Sequence, residues 1–156
     1  MLANHLLGGS STGRVPARVR EKEGLSYSTY TSFTSSAFDE SAEFRISAIF
    51  APQNRDRVER AIREEIERAV REGFSQAEVE AGRHSVLQAR RLARTQDRSL
   101  AGRLSSYSFA GRTFVWDIAL EKRIASLGAA EVNAALEKYL DPSRLASSLA
   151  GDFKKD

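Results

Sequence analysis

Cysteine is absent from this chain of 156 residues. Its absence excludes disulfide bonds and thiolate metal ligands, but it fits a reducing and an oxidising compartment equally well. No run of 18 apolar residues occurs either, so we expect no membrane-spanning helix. Positive charge exceeds negative charge only slightly: the net charge is +3, although 29% of the residues are charged. That excess is too small to indicate nucleic-acid binding by itself.

Histidine is nearly as rare, with only His5 and His84 in the chain. Neither has a second His at the spacing that places two ligands on one helical face, and no H-E-x-x-H or H-x-x-E-H pattern occurs. Zinc sites in proteins need three or four such ligands. The sequence therefore predicts that this chain alone holds no zinc.

Two β-strands are predicted at residues 25–34 and 42–50. The second alternates between apolar and polar residues, which is typical of a strand with one buried face. In the first we expect Leu25, Tyr27 and Phe33 to share one face. The "SSAFDES" link between the strands is long enough for a hairpin loop, so we expect them to be antiparallel.

Helical periodicity accounts for most of the rest of the chain, and a final strand is predicted at 144–153. Two helices, the two strands, further helices and a final strand, in that order, predict an α+β fold, with helices packed on one side of a mostly antiparallel sheet. The predicted helices cover 2–7, a segment ending near Glu23, 54–72, a long helix from Ser75 to about Arg98 with more helix after it, 116–127 and 129–140.

The glycine-rich "GGSSTGR" stretch precedes a predicted helix, as phosphate-binding loops do. It lacks the G-K-[ST] ending of a P-loop and does not follow a strand. A turn between two helices is the better interpretation.

A basic stretch, "QARRLARTQDR", could contact nucleic-acid phosphates through Arg90, Arg91, Arg94 and Arg98. The alternative is a solvated helix face on which arginine stems cover apolar surface. No aromatic residues are interleaved with the arginines, as binding of a single strand would require. Nucleic-acid binding is therefore the weaker hypothesis.

The stretch "GRVPARVREKEGLSYS" places Arg20 at a helix end, seven residues before Tyr27 in a strand, with Gly24 between them. Arg20 could simply stabilise the helix C-terminus through its charge while Tyr27 packs in the strand. Alternatively, a guanidinium and a phenol could converge on one peptide carbonyl. Spacing alone leaves both interpretations open.

The same region resembles the C-terminal domain of insulinase/pitrilysin-type zinc peptidases. That family shows N-x-x-L-G-G at a helix end, followed by R-x-x-x-x-(L/V)-R-E-K-x-G-L-x-Y-S. The likeness continues through "FRISAIFAPQN", "GFSQAEVEAGR", "AAEVNAALEKYLDP" and "AGDF". The matching positions are Asn4, Leu7, Gly8, Gly9, Arg14, Val19, Arg20, Glu21, Lys22, Gly24, Leu25, Tyr27 and Ser28.

The resemblance implies a metallohydrolase domain like those of insulinase and the mitochondrial processing peptidase. In such peptidases zinc lies on an H-x-x-E-H helix of another half, which would here be another domain or a partner subunit. Arg20 and Tyr27 match the Arg–Tyr pair that holds the peptide and steadies the oxyanion of the tetrahedral intermediate. The resemblance thus implies a substrate-binding half, inactive alone, that takes part in zinc-dependent proteolysis.

This sequence departs from the family pattern at its start, because the strand that normally precedes the first helix is missing. We therefore expect residues 1–156 to be a single C-terminal domain from a longer chain. Some members of the family are non-catalytic scaffolds, which is the alternative function. Because bacterial relatives of this type are often found in the cell envelope, we expect this protein in the periplasm or the cell envelope.

Overall fold

The structure, a computed structural model, describes residues 1–153. Its sheet is a hairpin of two antiparallel strands, β1 (Ser26–Ser35) and β2 (Ala42–Phe50). A bond from Ser36 N–H to the Ser41 carbonyl, 2.9 Å, closes the connecting loop. The predicted antiparallel pairing is confirmed.

Two short helices precede the hairpin, and each joins an α-helical turn to a π-helical segment. Helix α1 comprises Leu2–Asn4 and His5–Gly9, and α2 comprises Arg14–Pro16 and Ala17–Lys22. A Cβ on Gly13, in the loop between them, would lie 2.6 Å from Gly8 Cα. The glycine-rich stretch is thus a tight turn between two helices.

Five longer helices follow the hairpin. The predicted long helix from Ser75 to about Arg98 is broken, because Gln96 adopts an extended conformation and a new helix begins at the next residue. The helices are α3 (Arg55–Glu72), α4 (Gln76–Ala93), α5 (Asp97–Phe109), α6 (Phe114–Ser126) and α7 (Ala129–Tyr139), with single 3₁₀ turns at Pro52–Asn54 and Pro142–Arg144. None of these described helices is both long and apolar enough to cross a bilayer.

The core lies between one face of the hairpin and helices α1, α2, α3, α4 and α7. The apolar face of β2 packs against it through Phe44, Ile46 and Ala48, as its alternation predicts. The other side of the hairpin is open, with Tyr30 and Ile49 exposed. The predicted α+β layout is confirmed. The main buried apolar residues are Leu2, Leu7, Val15, Val19, Leu25, Val58, Ala61, Ile66, Ala69, Phe74, Val79, Val132 and Leu136.

The predicted strand at 144–153 is wrong. Arg144 belongs to a 3₁₀ turn, and residues 145–153 have no strand pairing. A strand needs a neighbour for its backbone groups. Here residues 145–149 are separated from β2 by a groove, and Ser147 and Ser148 supply no apolar side chain to close it.

A partly buried ion pair joins α2 to the start of α4. Arg14 donates from Nε to Glu78 Oε1 at 2.9 Å and from one terminal nitrogen to the Gly73 carbonyl at 2.8 Å. Its guanidinium also stacks over the Phe74 ring. Glu78 completes a capping box with Ser75, as the sequence predicts. This contact fixes α2, which carries Arg20, against the helical layer.

The Arg14 contact is expected to make stability depend on acid pH. Hydrogen bonding to Arg14 lowers the pKa of Glu78 from 4.5 to about 2. The unfolded chain therefore binds this proton at higher pH than the folded chain, so the stabilisation is complete above about pH 4.5 and is lost as the pH falls towards 2. Urea denaturation between pH 6 and pH 2 should show a shallower loss of stability in Glu78→Gln than in the wild type. Equal slopes would contradict the assignment.

Candidate functional site

The turn between α2 and β1 positions the two predicted site residues. Val19 and Leu25 are buried on either side of it, and Leu25 N–H donates to the Val19 carbonyl at 2.9 Å. Gly24 N–H donates to the Arg20 carbonyl at 3.2 Å. Gly24 has φ +61°, which side-chain-bearing residues rarely adopt. The turn from helix to strand therefore requires glycine at this position.

Tyr27 occupies a β-bulge at the start of β1. Ser26 pairs with Phe50 and Ser28 with Ile49, so Tyr27 has no partner residue on β2. Ser26 and Thr29, three residues apart, are both buried, whereas Tyr27 is 86% exposed. The prediction that Tyr27 shares a face with Leu25 is therefore wrong, because the extra residue shifts the alternation.

Side-chain hydrogen bonds hold this bulge in place. The Ser26 hydroxyl lies 2.7 Å from the carbonyl oxygens of both Ser28 and Ile49, and it accepts a bond from Thr29 Oγ1 at 2.9 Å. The Tyr27 hydroxyl has no hydrogen-bond partner in the part of the chain that the structure describes. It is free to donate to a ligand.

Arg20 lies in the last turn of the π-helical part of α2. Its side chain is 46% exposed and, among residues 1–153, pairs only with its neighbour Glu21, with a 2.7 Å bond from Nε. A contact between adjacent exposed residues is weak in water. The guanidinium can therefore exchange Glu21 for a peptide carbonyl or carboxylate.

The Arg20 and Tyr27 side chains are not bonded to each other, and both stand on open surface. Neither lines either of the two main cavities of the described residues. Within residues 1–153 no three His, Cys, Asp or Glu side chains are grouped to hold a metal ion, so these residues offer no site that fits zinc. The arrangement offers two exposed hydrogen-bond donors, one on each side of the turn between α2 and β1, without an enclosing wall.

A second polar cluster, which the sequence reasoning missed, joins α4, α5 and α6. Asp117 is 1% exposed and bonds Arg90 and the Tyr107 hydroxyl, and Arg103 lies 3.5 Å away. Glu121 binds Arg94 and Arg90. We name these six side chains the Asp117 cluster. The sequence did contain a signal for it. Arg90 and Arg94 are four residues apart at the end of α4, and Asp117 and Glu121 are four residues apart on α6.

The Asp117 cluster changes the interpretation of the basic stretch. Arg90 and Arg94 are engaged with Asp117 and Glu121, while Arg91 and Arg98 are exposed. The stretch therefore does not present four free cations to a phosphate backbone. Two of its four arginines, Arg90 and Arg94, instead join the end of α4 to α6.

The pKa values in the cluster follow from its partners. Burial alone would raise the pKa of Asp117, but the Tyr107 hydroxyl and the charges of Arg90, Arg103 and Arg94 hold it below its usual value. Burial, and then the bond to Asp117, raise the pKa of Tyr107. Asp117 is therefore ionised and Tyr107 protonated at neutral pH.

Comparison with protein families identifies the family to which this fold belongs. The profile of a family described as peptidase M16 inactive domain matches residues 1–86. That match covers more than half of the chain, and the chain belongs to this family. The resemblance to the C-terminal domain of insulinase-type peptidases is thereby confirmed. A search of curated proteins finds no match.

Solved structures share the fold at low sequence identity. A peptidase M16 inactive domain from Pseudomonas fluorescens is 21% identical, with a TM-score of 0.77 over 90% of this chain and 33% of its own. A protease from Helicobacter pylori is 14% identical, with a TM-score of 0.79 over 92% and 34%. The inactive peptidase domain of a predicted zinc protease from Bordetella parapertussis is 20% identical, with a TM-score of 0.72 over 91% and 76%. The chain thus spans about a third of the first two structures.

Proposed function

We propose that this chain is the substrate-binding half of an M16 zinc peptidase whose substrates are peptides. The observation that carries the proposal is the exposed Tyr27 hydroxyl, held outward by a bulge and without a partner in the described residues. A tyrosine that only packed would bury its ring. The Arg20–Tyr27 spacing of the family motif supports the same role.

The chemistry of the pair suits transition-state stabilisation. Attack on a peptide carbonyl turns its oxygen into an oxyanion, and a hydroxyl donor placed at that oxygen lowers the barrier. We assign this donation to Tyr27. Arg20, whose planar guanidinium offers several donors, would hold a carbonyl or carboxylate of the peptide and fix its position.

The metal-dependent part of the reaction would lie outside this chain. Two of the similar structures are named as a zinc protease domain and a protease. Because the described residues offer no ligand group for zinc, we propose that a second domain or a partner subunit binds it. The open position of Arg20 and Tyr27 supports this division, since a second half would supply the missing wall and exclude water.

We expect the isolated chain to bind no stoichiometric zinc and to hydrolyse no peptide. Mixing it with the zinc-binding half should restore hydrolysis, because two hydrogen-bond donors alone supply neither a nucleophile nor a base. Mass-spectrometric metal analysis of tag-free protein, with a fluorogenic peptide assay before and after mixing, checks both points. Tightly held zinc that supports proteolysis by this chain alone would contradict the proposal.

A further inference from the structure

The last turn of α2, which carries Arg20, is wider than an α-helical turn. The Glu23 N–H donates to the Arg18 carbonyl, five residues back, at 3.0 Å, whereas an α-helix bonds each N–H to the residue four back. An α-helix rotates by about 100° per residue, so one extra residue in a turn changes the direction of nearby side chains by roughly that angle. The register of this turn therefore sets where Arg20 points relative to Tyr27.

The spacing of buried and charged residues favours the wider turn. Val15 and Val19 are buried four residues apart, as on one face of an α-helix. An unbroken α-helix would next bring Lys22 or Glu23 to that face, where a charge without a partner is costly. The next buried residue is instead Leu25, after the turn. The chain thus leaves the α-helical register where it has no apolar residue to bury.

The side chain of Arg18 bridges the same turn as its carbonyl. Its Nε donates to Glu23 Oε1 at 2.9 Å, so backbone and side chain join the same two residues. On an α-helix the side chains that meet are three or four residues apart, not five. The Arg18–Glu23 pair therefore fits the π-helical turn and would be lost on a return to the α-helical register.

Helix α3 holds Arg18 from the other side. One terminal nitrogen of Arg18 lies 2.5 Å from Glu64, and the other lies 3.9 Å from Glu65. Glu65 is 1% exposed and also accepts a bond from Arg68 at 2.6 Å. Removing a partner from a buried carboxylate costs more than breaking a surface ion pair. We name Arg18, Glu23, Glu64 and Glu65 the Arg18 cluster.

We propose that the Arg18 cluster positions Arg20 for the peptide substrate. Its members are positioning residues: they bond to one another, and they act by fixing the turn on which Arg20 stands. Arg18 and Glu23 fall at positions where the family motif allows any residue, so the motif does not assign them this role. The inference rests on the proposed function of Arg20 and adds to it the device that orients the guanidinium.

Kinetics of the assembled peptidase, this chain with its zinc-binding half, test the positioning role. Arg18→Gln removes the charge that joins the three carboxylates. We expect kcat/KM to fall at least tenfold, with KM raised and kcat lowered, because a misplaced Arg20 loses its hold on the peptide. In an Arg20→Ala background the same substitution should change kcat/KM less than twofold, since it acts through Arg20 alone. Equal fold-changes in the two backgrounds would overturn the proposal.

Two further variants make the kinetic test decisive. Glu23→Ala breaks the pair within α2 but leaves the buried carboxylate of α3 with its arginines, and kcat/KM should fall several-fold. Arg63→Gln is the matched control, because Arg63 pairs with Glu59 of its own helix at 3.7 Å, and it should have wild-type kinetics. Wild-type kinetics in Arg18→Gln and Glu23→Ala, beside an impaired Arg20→Ala, would overturn this inference alone. Wild-type kinetics in Arg20→Ala would overturn the proposed function with it.

A spectroscopic measurement reads the register of the turn itself. In deuterated, ¹³C,¹⁵N-labelled protein, a coupling through the hydrogen bond should join the Glu23 amide nitrogen to the Arg18 carbonyl carbon. In Arg18→Gln we expect this coupling to be replaced by one to Val19, four residues back. Loss of stability alone would not move the coupling from one carbonyl to another. An unchanged coupling in folded Arg18→Gln and Glu23→Ala would overturn the proposal.

Discussion

Tyr27→Phe is expected to lower kcat of the assembled peptidase on the order of 100-fold while KM changes little. The substitution removes one hydroxyl that has no hydrogen-bond partner in the described residues, so folding should be unaffected. The loss falls on kcat because the donor would act on charge that develops only in the transition state. Steady-state kinetics with a defined peptide, alongside thermal denaturation, checks both expectations.

Tyr30→Phe is the matched control for this substitution. Tyr30 is also an exposed tyrosine of β1, 50% exposed, but it lies outside the bulge and pairs with Ser47. Its variant should have wild-type kinetics. If Tyr27→Phe also has wild-type kinetics, the Tyr27 hydroxyl does not act on the substrate, and a non-catalytic scaffold becomes the better interpretation.

Substitution of Arg20 separates the two interpretations of its helix-end position. In the proposed role Arg20→Ala weakens both substrate binding and turnover, and Arg20→Lys does not rescue them, because a point charge cannot reproduce a planar fork. If Arg20 only complemented the helix dipole, Arg20→Ala would cost roughly 0.3–1 kcal/mol of stability and leave kinetics unchanged. Arg20→Lys would then restore that stability.

Asp117→Asn is expected to lower the free energy of unfolding by about 3 kcal/mol, the lower end of the range for breaking a buried ion pair. The substitution leaves Arg90 and Arg94 with Glu121 as their carboxylate in the cluster, and it leaves Arg103 with none there. The lower end applies because Arg90 and Arg103 keep 16% and 20% of their side chains exposed. For a chain of this size the melting temperature should fall by roughly 6–12 °C.

Arg103→Gln serves as the control for the cluster. Arg103 makes only a long, 3.5 Å contact with Asp117, so its loss should cost less than about 1 kcal/mol. Calorimetry on both variants, with hydrogen exchange to locate the change in α5 and α6, tests this ranking. An equal loss in the two variants would show that the cluster stabilises through packing of its side chains and not through the Asp117 charge.

Local patterns in the sequence carried much of the fold. The hairpin, α3 and the capped start of α4 follow from alternation, an apolar stripe and the Ser75–Glu78 capping box, each of which is decided within a few residues. Gly24 likewise marked the helix-to-strand turn that separates Arg20 from Tyr27. These features were predictable because their physical causes are local.

Features that depend on distant residues were not predictable in this way. The strand predicted at 144–153 had a plausible composition, but a strand forms only where a neighbour completes its hydrogen bonds. The bulge at Tyr27 depends on register with β2, and the Ser26 bonds that hold it cross to Ile49. The Asp117 cluster required knowing that α4, α5 and α6 converge. For the site, the motif gave the identity of the two residues, while only the register showed that Tyr27 is exposed.

Helix α5 contributes no buried residue, although it has 13 residues. Its anchors are of two kinds. Arg103 and Tyr107 reach Asp117, and aromatic edge contacts join Phe109 to Phe38 and Tyr107 to Phe114 and Trp116. Opening of such a segment exposes little apolar surface, so its free energy should depend only weakly on urea concentration. We therefore expect α5 to detach while the core stays folded, in an opening whose free energy changes less with urea concentration than that of global unfolding.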